Sequence, residues 1–331
     1  MTTRQIVLAA RPIGFPKDSD FRMEEVQVPA PGPGQFLVKN LYMSVDPYMR
    51  GRMNDTKSYS ASFQVNQVMD GGAIGEVVES NNPNFPKGVM VSSMGGWREH
   101  FVSDGKMVTP VNPKLAPPSA FLGVLGIPGF TAWYGLKFIG EPKAGETLVV
   151  SAAAGATGSL AGQLGKLWGC RVVGTAGSAE KCEYLKRELG FDAVINYKAA
   201  GNLDAALREA CPKGIDVYFE NVGGAMQEAV LRQINADARI VLCGLIDQYN
   251  DTSMRPGPNW ATLLINRAKV QGFIISFHFD KLTQFFGEVG PLVAAGKVKY
   301  QETVVEGLAN APRAFMGLLR GENAGKMVVK L

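Results

Sequence analysis

The sequence predicts an α/β protein, in which a β-rich part precedes a doubly wound parallel sheet with helices on both faces. Up to Pro117 and Pro118, short strand patterns alternate with clusters of Pro, Gly and Asn, as in all-β domains. From Glu146 onward, apolar strand patterns alternate with helix patterns, which is typical of βαβ units and a parallel sheet. The length of 331 residues suits two domains of roughly 150 residues each.

The β-rich part contains four short β-type runs that are bounded by turn residues. In chain order they are FRMEEVQVP, GQFLVKNLYMSVD, AIGEVVES and GVMVSSM. The turns between them include PAPGPG and NNPNFPKG, in which proline and glycine interrupt the strands. Short strands at this close spacing predict a partly open barrel or a sandwich.

The alternating part contains strand and helix patterns in turn. In order they are ETLVVSAAAG, ATGSLAGQLGKLWG, RVVGTAG, SAEKCEYLKRELG, AVINY, LDAALREAC, IDVYFENVG, AMQEAVLRQI and RIVLCGL. In the first helix, Leu160, Leu164 and Leu167 follow the helical period and predict one buried stripe. After residue 297, YQETVVEG and KMVVKL are strand-like again, so we expect this tail to rejoin the first part.

Composition argues against several classes of function. The formal net charge of +4 is small and evenly spread, which argues against a nucleic-acid surface. No apolar run reaches the roughly 18 residues that a membrane-spanning helix needs. The four cysteines, Cys170, Cys182, Cys211 and Cys243, lack C-x-x-C spacing and are interpreted as reduced thiols of a cytoplasmic protein. Two histidines are too few for a histidine-rich metal site.

A glycine-rich turn after the first strand of the alternating part carries the clearest binding signal. The run Ala153-Ala154-Gly155-Ala156-Thr157-Gly158 has the G-x-G-x-x-G spacing of dinucleotide sites, with alanine in the first position. Gly155 lets the backbone approach a pyrophosphate, and Gly158 lets the helix pack closely on the strand. The helix N-terminus supplies N–H donors and positive dipole. The alternative is a glycine turn that serves packing alone.

The end of the next strand predicts which dinucleotide binds. An NAD site has Asp or Glu about 20 residues after the glycine turn, where it binds the ribose 2′-hydroxyl. Here the strand runs into Gly174-Thr175-Ala176-Gly177-Ser178 without an acid, and Lys181 follows. A hydroxyl and a cation at this point favour NADP(H). The alternative makes Ser178 a helix N-cap and Lys181 a solvated surface charge.

Several motifs together resemble one family over essentially the whole chain. They are SVDPYMR (44–50), GIPGFTAW (126–133), AAAGATGS (152–159), GSAEK (177–181), INYK (195–198), ENVGG (220–224), CGLIDQYN (243–250) and GENAGK (321–326). This set resembles the zinc-independent branch of the medium-chain dehydrogenases/reductases. Within it, the chain is similar to prostaglandin reductases, plant alkenal double-bond reductases and bacterial curcumin reductases.

The resemblance implies a domain organisation and the absence of zinc. Residues 1–124 and 298–331 would form a GroES-like catalytic domain, and residues 125–297 a Rossmann NADP-binding domain. Zinc-dependent members of the family carry a GHE motif and a lobe with four cysteines. The corresponding segment here, DGGAIGE (70–76), has no histidine, and the cysteine lobe is missing.

The resemblance also implies where the cofactor binds. Residues 155–158 would hold the pyrophosphate, and Ser178, Lys181 and Tyr197 the 2′-phosphate. The ribose and nicotinamide end would be lined by Asn221, Cys243, Gly244, Phe273, Ile274, Ile275 and Asn323, with Thr131 as a weaker candidate. For residues 273–275, a core strand that touches the cofactor only through its backbone is the alternative.

Without a metal or a nucleophile–base pair, the cofactor carries the reaction and the protein positions it. The implied reaction transfers hydride to the β-carbon of an α,β-unsaturated ketone or aldehyde. We expect Tyr249 to donate to the enolate oxygen and Tyr48 to orient the substrate, while a ribose hydroxyl or water are alternative proton donors. Trp97 and Met254 are expected to line an apolar substrate pocket.

Two other functions and two properties stay open at this point. An NADPH-dependent quinone reductase of the same superfamily also lacks zinc, and a non-catalytic NADPH-binding protein would reduce nothing. The residues do not identify the natural enone substrate. A homodimer is expected, because related chains commonly pair through an edge strand of the Rossmann sheet.

Overall fold

Fifteen strands and nine α-helices form the chain, which the computed structural model describes over residues 1–331. The strands are β1 (Thr2–Leu8), β2 (Phe21–Gln27), β3 (Phe36–Ser44), β4 (Ala73–Ser80), β5 (Met90–Ser93), β6 (His100–Ser103), β7 (Thr109–Pro110), β8 (Thr147–Val150), β9 (Arg171–Ala176), β10 (Ala193–Asn196), β11 (Ile215–Glu220), β12 (Ile234–Leu242), β13 (Lys269–Gly272), β14 (Glu302–Glu306) and β15 (Lys326–Lys330). The helices are α1 (Tyr48–Arg52), α2 (Ile127–Gly135), α3 (Ala156–Leu167), α4 (Ala179–Arg187), α5 (Leu203–Ala210), α6 (Gly224–Leu231), α7 (Trp260–Ile265), α8 (Leu282–Ala294) and α9 (Ala311–Leu319).

The chain divides into two compact units. Unit 1 contains residues 1–123, 250–252 and 302–331, and unit 2 contains residues 124–249 and 253–301. The β-rich first part and the alternating second part of the predicted fold class are both confirmed. None of the helices has the length and apolar content that are needed to cross a membrane.

Unit 1 is built around a seven-stranded sheet. The strand order is β14-β15-β3-β4-β5-β7, and β6 pairs with β3 outside this path. β15 pairs antiparallel with β3, which places Val328 opposite Ser44. The C-terminal strands therefore complete a sheet that the N-terminal residues begin, and β1 and β2 form a separate antiparallel pair.

Unit 2 is a parallel six-stranded sheet with the order β10-β9-β8-β11-β12-β13. Because the chain starts at β8, winds outward to β10 and returns to β11, the winding direction reverses between β8 and β11. In such sheets, ligands bind outside the carboxyl ends of the strands at this reversal point. Every residue of β8 is buried, as a central parallel strand requires.

α3 buries most of the predicted leucine stripe. Leu160 and Leu164 are buried, whereas Leu167 is 48% exposed. The prediction is wrong for Leu167, the last residue of α3, where the helix ends and the buried stripe with it.

Candidate cofactor and active site

The turn between β8 and α3 is packed so closely that one position admits only glycine. A Cβ on Gly158 would lie 2.5 Å from the Ala152 carbonyl oxygen and 2.9 Å from the Ala153 Cα. The Gly155 N–H donates to the Ala152 carbonyl over 3.0 Å and closes the turn. Ala152 has a φ of 47°, in the left-handed region that non-glycine residues rarely adopt. The surrounding structure therefore holds this turn in a strained conformation.

The N-terminus of α3 presents its first N–H groups without a side-chain cap. Gly155 precedes the helix in an extended conformation, and no side chain accepts a hydrogen bond from the first turn. The first N–H groups of a helix have no partner within the helix, and they carry the positive end of its dipole. The turn thus fits the pyrophosphate of a dinucleotide, which would accept from the N–H groups of Ala156, Thr157 and Gly158.

Asn221 is held at the end of β11 by the end of β8. Its backbone N–H donates to the Ser151 hydroxyl over 2.8 Å, and its side-chain amide donates to the Ser151 carbonyl over 2.8 Å. These two hydrogen bonds span the reversal point of the sheet. They fix the orientation of a side chain that is predicted to line the nicotinamide end of the site.

Glu220 is a fully buried residue that joins the ends of three neighbouring strands through its carboxyl and its backbone carbonyl. Its Oε1 accepts from the Ser151 hydroxyl at 2.9 Å and from the Val222 N–H at 2.7 Å. Its carbonyl oxygen accepts from the N–H groups of Cys243 and Gly244, at 2.9 and 3.1 Å. Burial raises the pKa of the Glu220 carboxyl in spite of these donors. Sequence reasoning missed both Ser151 and Glu220; a polar residue at the end of an apolar strand is the signal that marks each.

A cleft of about 700 Å³ opens at the carboxyl ends of β12 and β13. It is lined by Leu242, Cys243, Gly244, Leu245, Tyr249, Gln271, Gly272, Phe273, Ile274, Phe277 and His278. Five of these residues were predicted from the sequence, and the structure brings them together. Phe273 and Ile274 follow β13 and do not belong to a core strand, while Ile275 begins the next short helix and is not in the lining.

Tyr249 folds back over the turn that follows β12. Its hydroxyl oxygen accepts from the Leu245 N–H over 3.3 Å, which fixes the ring beside Gly244.

Burial and the nearby Glu220 raise the pKa of the Cys243 thiol to about 12. Cys243 is therefore a neutral thiol at neutral pH, which is unsuited to act as a nucleophile.

Ser178, Lys181 and Tyr197 come together at the carboxyl ends of β9 and β10. Ser178 caps α4, and its hydroxyl oxygen accepts from the Lys181 N–H over 3.3 Å. The Tyr197 hydroxyl lies 2.8 Å from the position of a Cβ on Gly177. Burial lowers the pKa of the Lys181 ammonium group. Ser178 is thus the N-cap of α4, as the alternative interpretation of this residue predicts.

The three remaining predicted residues lie in other elements. Thr131 is in α2 of unit 2, where its hydroxyl donates to the Ile127 carbonyl over 2.7 Å. Asn323 and Tyr48 belong to unit 1. The Asn323 side-chain amide donates to the Gly325 carbonyl over 2.7 Å. Tyr48 begins α1, and burial raises the pKa of its hydroxyl well above the ordinary value, so that the hydroxyl stays protonated.

The expectation that Trp97 lines a substrate pocket is wrong. Trp97 is fully buried in the core of unit 1. Its ring stacks on Phe21 with centroids 5.9 Å apart and meets the edge of Phe315 at 6.3 Å. A side chain without exposed surface packs the core and has no contact with a ligand.

No group of three or more His, Cys, Asp or Glu side chains is arranged to hold a metal ion.

Two family models match the chain, one in its N-terminal part and one in its alternating part. The model described as the N-terminal domain of oxidoreductase matches residues 4–111, and the model described as zinc-binding dehydrogenase matches residues 156–288.

Several relatives match over nearly the full length of the chain. The NADPH-dependent curcumin reductase of Escherichia coli (strain K12) is 47% identical, over 99% of this chain and 96% of its own. The NADP(+)-dependent 2-alkenal reductase of Nicotiana tabacum is 42% identical, over 99% of this chain and 97% of its own. The crystal structure of CurA in complex with NADPH from Vibrio vulnificus superposes with a TM-score of 0.94 at 49% identity, covering 99% and 98% of the two chains. The chain therefore belongs to the zinc-independent branch of the medium-chain dehydrogenase/reductase family.

Proposed function

We propose that the chain is an NADPH-dependent ene-reductase, which transfers hydride to the β-carbon of α,β-unsaturated ketones or aldehydes of the curcumin or alkenal type. The reaction is proposed from the curcumin and alkenal reductase relatives, and one structural observation carries the dinucleotide site on which it depends. The cationic turn after β9, the uncapped N-terminus of α3, Asn221 and the cleft after β12 and β13 all follow the carboxyl ends of parallel strands of one sheet. An extended dinucleotide requires this sequence of contacts from adenosine to nicotinamide.

The proposed cofactor is NADP(H). In support, no acid stands at the end of β9, where Ser178 and Lys181 replace it. The curcumin reductase relative is NADPH-dependent and the alkenal reductase relative is NADP(+)-dependent. The CurA structure is a complex with NADPH. Asn221, Cys243, Gly244, Phe273, Ile274, Ile275, Thr131 and Asn323 remain proposed contacts of the ribose and nicotinamide end.

The bound cofactor supplies a hydride, and the side chains of the cleft orient the substrate and stabilise its charge. Phe273, Ile274 and Phe277 offer apolar surface to an enone with aromatic or alkyl substituents. As hydride reaches the β-carbon, negative charge develops on the carbonyl oxygen, and a hydroxyl donor stabilises it. We assign this role to Tyr249 and assign substrate orientation to Tyr48. The α-carbon then takes a proton, which restores a saturated carbonyl.

We also propose a homodimer in the cytoplasm. β13 is one of the two edge strands of the parallel sheet, and beside it in sequence α7 exposes three apolar side chains, Trp260 (66% exposed), Leu264 (80%) and Ile265 (75%). An apolar surface beside an unpaired strand edge suits pairing with a second copy of the chain. Light scattering of the purified protein measures the mass of the particle and so tests the dimer.

All four cysteines are unpaired, which suits a reducing compartment.

We assign residues 1–124 and 298–331 to a catalytic domain and residues 125–297 to the NADP-binding domain. Unit 1 and unit 2 support this division, since the C-terminal strands complete the sheet of the N-terminal residues.

A panel of substrates tests the function. NADPH oxidation is measured with a curcuminoid, a short 2-alkenal and an oxo-eicosanoid enone, each followed by mass spectrometry of the product. We expect a gain of two hydrogens in at least one of them and a clear preference for NADPH over NADH. Turnover of quinones without any enone product would make the chain a quinone reductase, and NADPH binding without oxidation would make it a non-catalytic binding protein.

A further inference from the structure

The ends of β9 and β10 place a second lysine beside the proposed 2′-phosphate site. The two strands pair in parallel with Asn196 opposite Ala176, so the residues that follow each strand lie side by side. The Tyr197 N–H donates to the Ala176 carbonyl over 3.1 Å and extends this pairing by one step. Lys198, the next residue of this turn, therefore lies beside Gly177.

The Lys198 side chain passes over Gly177. A Cβ on Gly177 would lie 3.2 Å from the Lys198 Cε and 2.8 Å from the Tyr197 hydroxyl. The Asn196 side-chain oxygen accepts from the Lys198 N–H over 3.2 Å, which fixes the backbone of this turn. Because glycine leaves room for both side chains, the Lys198 stem is directed across the end of β9.

Positive charge is concentrated where the two strands end. The charge of Lys198 lowers the pKa of Lys181 further, after the larger effect of burial. Glu180 is the nearest acid in the sequence, and the polar groups of its own backbone and of Ser178 lower the pKa of its carboxyl. The N-terminus of α4 adds its dipole to the two lysines.

We propose that Lys198 is a second phosphate-binding cation, which acts with Lys181 on the 2′-phosphate of NADP(H) and strengthens the preference over NAD(H). This inference rests on the proposed cofactor and adds a residue to the three that the family resemblance implies. A phosphomonoester carries nearly two negative charges at neutral pH, so two cations match its charge. A lysine suits this position because its flexible stem brings a point charge to the phosphate without a fixed geometry.

The test measures nucleotide binding to the full chain without enone or turnover. Lys198→Met keeps most of the stem and removes the charge. Isothermal titration compares adenosine 2′-monophosphate, adenosine 5′-monophosphate and inorganic phosphate. We expect the Kd for the 2′-monophosphate to rise about fivefold, because one charge-assisted contact at an exposed position is lost. The Kd for the 5′-monophosphate stays unchanged, and Lys198→Arg restores the binding of the 2′-monophosphate.

Lys186→Met is the matched control. Lys186 is an exposed lysine in the last turn of α4, and its replacement changes the net charge by the same amount. If both methionine variants weaken the 2′-monophosphate equally, the effect is long-range electrostatics and the proposal is wrong. It is also wrong if Lys198→Met leaves the Kd for the 2′-monophosphate unchanged. A wild-type chain that prefers the 2′-monophosphate but reduces no enone contradicts the proposed reaction and leaves the role of Lys198 supported.

Discussion

Gly158→Ala tests whether the turn between β8 and α3 is shaped by close packing against a phosphate-binding helix. The added Cβ would lie 2.5 Å from the Ala152 carbonyl oxygen and 2.9 Å from the Ala153 Cα. Both are backbone atoms, which cannot rotate away as a flexible side chain does. The first turn of α3 therefore has to move outward, and we expect a loss of stability together with a loss of NADPH affinity.

The size of both losses follows from the contact distances. Carbon and a carbonyl oxygen normally approach to about 3.3 Å, so the shortfall is about 0.8 Å. Overpacking of this kind costs roughly 1–3 kcal/mol. In a unit the size of unit 2, each kcal/mol lowers the Tm by about 2–4 °C, so a fall of about 4–8 °C is expected for the middle of that range. Displaced N–H donors weaken NADPH binding about tenfold, as the loss of one hydrogen bond to a charged group does.

The assay pairs thermal unfolding with fluorescence titration of NADPH, and Gly287→Ala is the control. Gly287 lies within α8, and a Cβ there has no atom within 4 Å. Because alanine favours a helix by about 1 kcal/mol over glycine, this variant should be slightly more stable, with unchanged NADPH affinity. Gly158→Ala with wild-type Tm and wild-type Kd would refute the reasoning.

Three further predictions concern chemistry, cofactor choice and metal. Tyr249→Phe keeps the ring and removes the hydroxyl, which in our proposal donates to the enolate oxygen and which also accepts from the Leu245 N–H. The kcat/KM for an enone should fall about 100-fold with NADPH affinity nearly unchanged, and an effect below about threefold leaves Tyr249 as a wall of the cleft. Lys181→Ala should raise the KM for NADPH about tenfold or more and leave that for NADH unaltered, which steady-state kinetics with both cofactors measures; equal effects on both would contradict a 2′-phosphate contact. Dialysis against EDTA should leave activity intact and elemental analysis should find no stoichiometric zinc, whereas activity that zinc restores would contradict the family branch.

The elements that depend on local pattern could be predicted from the sequence. β11, α5 and β15 lie where apolar periodicity and turn residues indicate them. The glycine turn opens α3 as the G-x-G-x-x-G spacing predicts, because a tight strand-to-helix turn requires those glycines. Cys243 and Phe273 were expected at one site through the family resemblance, and Tyr249 because it follows the turn at the carboxyl end of a parallel strand; the three line one cleft.

Features that depend on contacts between distant segments could not be predicted. Ser151 and Glu220 are 69 residues apart and form a buried hydrogen bond. A polar residue at the end of an apolar strand can mark each of them separately, but the linear pattern does not show that the two side chains meet. Trp97 was misassigned because an aromatic residue between glycine and arginine is equally compatible with a pocket wall and a core. Its burial depends on Phe21 and Phe315, which come from opposite ends of the chain.

The central claim is that the chain reduces the C=C bond of enones by hydride transfer from NADPH, and isotope tracing tests it most directly. NADPH with deuterium at both positions of the nicotinamide C4 is incubated with the wild-type chain and an enone, and the product is analysed by NMR. We predict a saturated ketone or aldehyde with deuterium on the β-carbon and a solvent proton on the α-carbon. Deuterium on the carbonyl carbon of an allylic alcohol, or a product without deuterium, would contradict the account.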